Sequence, residues 1–391
     1  MSLYSDTLSN KVLYLIVATA MGGAERLFYN AVEEKDNMPC VQYAAIYAYR
    51  GDPKNNELRR QGVHIFNEIK PGRQRLSVLY YHHKVAVQLL KYIRCERIRI
   101  VHAHDTYTML YGLLAKWLLG IKVIRTYHGS RDSYWAAENA IFRVFRKWID
   151  YNVFVSHSYM KRFHSINRLA PDKLKCGIVY NGVKVKESYT LIDESQDCYP
   201  RIVMVGNYTG GRNHFFVLRV FKELLLKYPN ALLTLIGNDN PKEPSLYGVC
   251  VSFIRQNQLS DKVRMISGIT DVVPYLRQSD LFLYDSKRDT FGIALVEAVL
   301  CGVPSLVNDL DTFVEVSDNG RLCYLYRTGD MNDCIAQAIN LVDDMRIVRN
   351  RAAVAKKYAA DRYSMEEYAR NLMGIYMSIE RSVRKQENDK S

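Results

Sequence analysis

The eight cysteines of this chain include no C-x-x-C pair and no Cys/His spacing suited to a metal ion. Scattered thiols of this kind exclude a disulfide scaffold and fit reduced cysteines in a cytosol. No apolar run reaches the ~18 residues that a membrane-spanning helix needs. The apolar stretch from Val12 to Ala20 runs into a glycine pair and reads as a buried first strand, not as a secretory leader. No G-x-G-x-x-G is present, which counts against a nicotinamide enzyme. Signatures of nucleic-acid-binding folds, internal repeats and low-complexity tracts are all missing. Acidic residues are the minority charge: 41 Asp and Glu against 54 Lys and Arg leave a formal net charge of +13. Such a surplus attracts anions, and without a nucleic-acid signature it points to phosphorylated substrates or anionic lipid.

A length of 391 residues exceeds what one core usually supports, so two domains are expected. Strand and helix patterns alternate along the chain, the mark of an α/β architecture with parallel sheets. The patterning predicts strands over 12–18, 41–47, 63–69, 98–102, 122–127, 152–155 and 176–180. Helices are expected over 24–32 and 76–93, with another ending near 119. A polar, aperiodic stretch follows, and the pattern restarts at Arg201. Further strands are expected over 202–205, 231–236, 263–265, 281–284 and 305–307, with a helix over 214–227. Ser364 and Glu367 form a capping-box pattern that opens a long terminal helix. The expected organisation is a first domain over 1–183, a linker over 184–200, a second domain over 201–363 and a terminal segment over 364–391.

The most informative segment is DTFGIALVEAVLCGVPSLVND, residues 289–309. Asp289 and Glu297 flank a Phe291-Gly292 turn that opens an apolar helix at about Ile293. A helix start offers unpaired N–H groups and a positive dipole end, a ready anion site. Glu297 stands five residues beyond Gly292, roughly 7 Å along the axis at 1.5 Å per residue. A ligand touching both acids and the helix start is elongated, anionic in the middle and rich in hydroxyls at both ends. A nucleotide-diphospho-sugar has that shape. The plainer reading makes Asp289 a charge matched to the dipole and Glu297 a solvated face residue. Against it, Glu297 sits inside an apolar run, where a carboxylate is expensive without a partner.

The segment resembles the E-x7-E signature of the retaining family 4 glycosyltransferases, which have the two-domain GT-B fold. It matches at Phe291, Gly292, Glu297, Ala298, Gly302 and Pro304, and departs at the first acid, where Asp289 replaces the usual Glu. The resemblance implies two Rossmann-like domains facing across a cleft, with the C-terminal helix crossing back to the first domain. Ligands of such sheets bind at the strand C-terminal ends. The resemblance gives the donor ribose to Glu297 and the donor sugar to Asp289 and His128. The diphosphate falls to Arg212, the amides about Phe291, Gly292 and Ile293, and the helix dipole. Gly206 to His214 resembles the phosphate-gripping loop of the second domain. There Arg212 stands at the family's Lys position and Asn207 at its Arg position, so one cation is missing. Gly206 and Asn207 are placed on the donor by that likeness, and Gly22 and Gly23 beside the donor phosphates and the acceptor. On residues alone, a Gly-Gly pair is more often a tight turn and a lone histidine more often a structural hydrogen-bonder. His102 and His104 share one strand face with no third ligand nearby in sequence, so a structural role is expected for both. Asp309-Leu310-Asp311 has a metal-binding D-x-D form, but the form alone is weak and no metal role is expected of it.

The expected activity is metal-independent transfer of a hexosyl group, with retention, from a nucleotide-diphospho-sugar to a saccharide or lipid-linked saccharide. Bacterial cell-surface polysaccharide synthesis is the expected setting. No cofactor beyond the co-substrate donor is expected, and no nucleic-acid partner. A basic, aromatic helix carries Trp135, Phe142, Arg143, Phe145, Arg146, Lys147 and Trp148. It lies on an anionic membrane surface, or else its aromatics cover the sheet while its cations face solvent. The matching location is cytoplasmic, peripheral on the inner face of the membrane. Three other classes stay open: a sugar-nucleotide epimerase, a glycoside phosphorylase, and a non-catalytic anion-binding protein.

Overall fold

The first apolar run is strand β1 (Lys11–Ala18), buried along almost its whole length. That is the behaviour of a central strand in a parallel sheet covered on both faces. The computed structural model of the chain describes residues 11–18, 22–69, 78–129, 135–170, 174–185, 199–239, 245–269 and 271–388. Two units are resolved, one of Met1–Gly182 with Met365–Ser391, the other of Val183–Ser364. Most of the expected linker, 186–198, and the expected start of the 76–93 helix lie outside the described residues.

In the first unit β1 is followed by α1 (Gly23–Glu33), β2 (Val41–Tyr49), α2 (Pro53–Arg60), β3 (His64–Ile69) and α3 (Val78–Cys95). Then come β4 (Ile98–Ala103), α4 (Thr106–Leu119), β5 (Lys122–Tyr127), α5 (Trp135–Phe145), β6 (Tyr151–Phe154), α6 (His157–Asn167) and β7 (Cys176–Ile178). The strands form one parallel sheet in the order β3-β2-β1-β4-β5-β6-β7. Side-chain alternation along β1 splits the core in two. Val12, Tyr14 and Ile16 join Leu27, Phe28 and Val32 of α1 on one face. Leu13 and Leu15 join Val85 and Leu89 of α3 on the other. Asp105 caps α4 by accepting the N–H of Thr108 at 2.9 Å, and its second oxygen takes the N–H of Val17 at 3.0 Å. One side chain therefore starts a helix and pins the neighbouring strand.

The second unit contains β8 (Arg201–Val205), α7 (His214–Leu224), β9 (Leu232–Ile236), α8 (Leu246–Gln256), β10 (Val263–Ile266), α9 (Val273–Arg277) and β11 (Leu281–Tyr284). It continues through α10 (Ile293–Leu300), β12 (Ser305–Asn308), α11 (Asp311–Val316), β13 (Tyr324–Tyr326), α12 (Met331–Asp343) and α13 (Met345–Arg362). Its parallel sheet runs β10-β9-β8-β11-β12-β13. The last helix, α14 (Met365–Asn388), belongs to the first unit, where Tyr368, Leu372 and Tyr376 enter the core with Val12 and Tyr14.

Each sheet reverses its strand order once, between β1 and β4 and between β8 and β11. The strand C-terminal ends at such a reversal open a crevice where ligands of α/β sheets bind. Two places in the chain are thereby singled out.

Candidate functional site

In the second unit the reversal point is built from two loops, Gly206–Asn213 after β8 and Asp285–Gly292 after β11. Main-chain contacts hold them together. Lys287 N–H donates to the Gly211 carbonyl at 3.0 Å, and Arg212 and Ser286 form an antiparallel bridge. Ser286 Oγ donates to the Gly211 carbonyl at 2.7 Å. Asn308 of β12 clamps Ser286 from behind, accepting its N–H at 3.1 Å and donating to its carbonyl at 2.8 Å. The fully buried Tyr326 donates to Asp285 Oδ2 at 2.6 Å. Burial raises the Asp285 pKa, and the Tyr326 hydrogen bond works against that rise.

Arg212 and Asp289 meet across this seam. Arg212 Nη2 lies 3.0 Å from Asp289 Oδ2, an ion pair without the alignment of a hydrogen bond. Arg212 Nη1 donates to the Arg288 carbonyl at 2.9 Å. Burial, the largest single effect, would lower the Arg212 pKa, but the Asp289 carboxylate and Tyr284 together outweigh it and the net shift is upward. Asp289 Oδ1 accepts the N–H groups of Thr290 at 2.8 Å, Phe291 at 3.3 Å and Gly292 at 3.1 Å. The anion place expected about Gly292 is therefore held by the protein's own carboxylate. This corrects the expectation that the Phe291 and Gly292 amides stand open to a phosphate. The donors left to the helix tip are those of its first turn, from Ile293 onward.

Gly292 has φ 83°, and a Cβ there would lie 2.8 Å from Phe313 Cε1, so only glycine fits. Phe291 is 1% exposed and packs edge-on against Tyr363. Its ring holds the turn in place. Glu297 is 3% exposed on α10. It lies near enough to Cys301, one turn on, to raise that thiol's pKa, a rise led by burial and opposed by Arg277. Asn207 is exposed and accepts the Asn238 N–H on its side-chain oxygen at 3.0 Å. Gly206 is crossed by the Arg212 stem, and its carbonyl accepts from His214 Nε2 at 2.9 Å. Asp309 of the D-x-D form accepts from the N–H and hydroxyl of Thr328.

In the first unit the reversal point carries histidines. His104 Nδ1 and His128 Nε2 are 2.9 Å apart, and the His104 ring stacks on Tyr14 at 3.7 Å. His102 is held by Tyr376 of α14 and by Thr126, each at 2.7 Å. Burial pushes the pKa of His128 down to about 4 and that of His102 to about 3, with His104 well below its ordinary value. All three are neutral at pH 7, so His128 offers a hydrogen bond and no charge. Gly22 precedes the first residue of α1, and its N–H donates to Glu25 Oε2 at 3.0 Å. Among the described residues no group of three or more His, Cys, Asp or Glu could hold a metal ion.

Sequence reasoning passed over Ser286, Asn308 and Arg288, which build the seam. Single polar residues after strands carry no pattern that marks them. The aromatic-basic segment divides. Phe142 is buried at 1%, while Val144 and Trp148 are exposed at 60% and 41%. Trp117 and Leu118 at the end of α4 join that exposed surface, with Trp117 edge-on to Trp148 at 5.6 Å. This surface lies where β5 and β6 begin, at the opposite end of the strands from His104 and His128. The side chain of Trp135 lies outside the described residues. No described helix is long and apolar enough to cross a membrane.

Comparison with known proteins identifies the scaffold. Glycosyl transferases group 1 matches residues 192–362 and Glycosyltransferase Family 4 matches 21–187. The N-acetyl-alpha-D-glucosaminyl L-malate synthase of Bacillus anthracis is 25% identical over 314 residues, covering 75% of this chain and 78% of its own length. The UDP-Gal:alpha-D-GlcNAc-diphosphoundecaprenol alpha-1,3-galactosyltransferase of Escherichia coli is 20% identical over 280 residues, covering 67% and 70%. The crystal structure of Anabaena HepE in complex with UDP and glucose superposes with a TM-score of 0.76 at 14% identity, over 94% of this chain and 100% of that one. The two Rossmann-like sheets are those of a GT-B glycosyltransferase. The chain belongs to the group 1, family 4 glycosyltransferases.

Proposed function

We propose that the protein moves a hexosyl group from a nucleotide-diphospho-sugar to a saccharide or lipid-linked saccharide, with retention of configuration and without a metal ion. The observation that carries this reading is the Arg212–Asp289 pair at the reversal point of the second sheet. A guanidinium there suits a diphosphate, and a carboxylate one step away suits sugar hydroxyls. In the reaction the bond from the sugar anomeric carbon to the diphosphate oxygen breaks. A bond from that carbon to the acceptor oxygen forms, and the acceptor proton passes to the leaving diphosphate. Asp289 is poorly placed as a covalent nucleophile, because one of its oxygens accepts three N–H groups and the other faces Arg212. That favours a same-face displacement. Arg212 stabilises the departing charge, Glu297 holds the ribose, and His128, neutral, orients the sugar. Gly22 and Gly23 at the start of α1 border the acceptor. A lipid-linked acceptor is supported by the relative from Escherichia coli, whose name gives a diphosphoundecaprenol-linked substrate.

The test is incubation with UDP-, GDP- and ADP-sugars and an oligosaccharide-lipid acceptor, with the product anomer read by NMR. Transfer with retention, undiminished by EDTA, is expected. Conversion of the donor without an acceptor would establish the epimerase instead. We also propose a peripheral, cytoplasmic location, with Trp117, Leu118 and Trp148 inserting into an anionic bilayer beside Arg146 and Lys147. Co-sedimentation with anionic vesicles that is unchanged in Trp117→Ala/Trp148→Ala would sink that part alone.

A further inference from the structure

We infer that Arg288 is the second cation of the donor site, a diphosphate-binding side chain that takes over the task Asn207 is too neutral to perform. The inference rests on the reading of the second unit as the donor-binding unit. Its starting point is a charge balance. Arg212 lies 3.0 Å from Asp289, so the pair brings almost no net charge to the seam. A nucleoside diphosphate carries several negative charges, and a site with no net positive charge holds it poorly. Another cation must stand within reach.

Arg288 stands there. A Cβ added to Gly211 would lie 3.5 Å from Arg288 Nε and 3.6 Å from its Cγ, so the arginine stem crosses the bare glycine beside Arg212. Its backbone is fixed on both sides. The carbonyl accepts from Arg212 Nη1 at 2.9 Å, and the N–H donates to Ser286 Oγ at 3.4 Å. The residue is half-buried, and it directly precedes Asp289 on the loop after β11. A guanidinium so placed can bind phosphate oxygens bidentately. Asn207 carries no charge, and its side-chain oxygen accepts the Asn238 N–H. Lys287 is exposed, and its backbone N–H donates to the Gly211 carbonyl at 3.0 Å.

The experiment is calorimetric titration of wild type, Arg288→Ala, Arg288→Gln, Lys287→Ala and Arg288→Ala/Asn207→Arg. The probes are UDP, GDP, ADP and CDP, each with its nucleoside. Arg288→Ala and Arg288→Gln should weaken the responding diphosphate about tenfold or more, the usual scale of a charged hydrogen bond. Nucleoside binding should not change, Lys287→Ala should stay within about twofold, and Asn207→Arg should restore most of the loss. Diphosphate affinity within about twofold of wild type in both Arg288 variants overturns the inference while the donor reading stands. So does an equal loss for the nucleoside, which marks a structural role. A wild type that binds none of the diphosphates overturns both.

Discussion

Asp289 answers two demands with one carboxylate. One oxygen gathers three consecutive amides, a turn that a short acidic side chain makes readily, and the other faces Arg212. A glutamate, one carbon longer, would not settle on its own next three amides in the same way. Asp289→Asn should separate the two demands. It keeps an oxygen for the amides and puts an N–H₂ group against Arg212, whose charge is then unmatched. We expect the second unit to lose about 1–3 kcal/mol in urea unfolding, below the full scale for a buried pair because the Arg212 side chain is 27% exposed. Affinity for the bare nucleoside diphosphate should hold or improve, since Arg212 is released, while kcat falls at least tenfold. Weakened diphosphate binding would count against the Arg212 assignment. The sequence displayed the acid, the Phe-Gly turn and Arg212, but not their pairing. Which partner a carboxylate takes depends on two loops meeting in space, and nothing local encodes that.

At the scale of the element, α10 is defined by the glycines at its ends. Gly292 and Gly302 have φ 83° and 78°, the left-handed region that non-glycine residues avoid. Their surroundings differ. A Cβ at Gly292 would meet Phe313 at 2.8 Å, whereas one at Gly302 finds only the Lys356 stem at 3.6 Å. Gly302→Ala should therefore cost about 1–2 kcal/mol of backbone strain, and Gly292→Ala about 2–4 kcal/mol as overlap is added. Equal costs in urea unfolding would show that the ring contact is not rigid. Both ends of this helix were legible, as were the central strands, because continuous apolar runs bounded by glycine are strong signals. Other elements were not. In α13 the buried positions Val348, Ala352, Ala355 and Ala359 are mostly alanine, set among arginines and lysines, so the apolar stripe has little contrast. In β13 only Tyr326 of three residues is fully buried, too short a run to alternate visibly.

At the scale of the whole molecule, the two units carry their titratable groups unequally. The first holds His102, His104 and His128 in its interior, while the second has His214, pushed down to about 4 chiefly by burial. These depressed pKa values belong to the folded state. The unfolded chain takes up protons near pH 6.5 while the folded chain stays neutral, so stability falls as pH drops below that value. The loss levels off near the folded pKa values, about 3 for His102 and about 4 for His128 and His214. Each histidine contributes at most about 1.4 kcal/mol per pH unit within the window. The buried carboxyls Asp105 and Asp285, one in each unit, shift upward and act in the opposite sense. Hydrogen exchange between pH 7.5 and 5.5, corrected for intrinsic rates, should therefore show β1, β4 and β5 losing protection more steeply than β8 and β11. The variant His102→Gln can still bond Tyr376 and Thr126 but cannot titrate, so its pH slope in the first unit should be shallower. Equal slopes in the two units would mean that the three histidines do not stay neutral in the folded protein, and the part given to His128 as an uncharged sugar contact would fall with them.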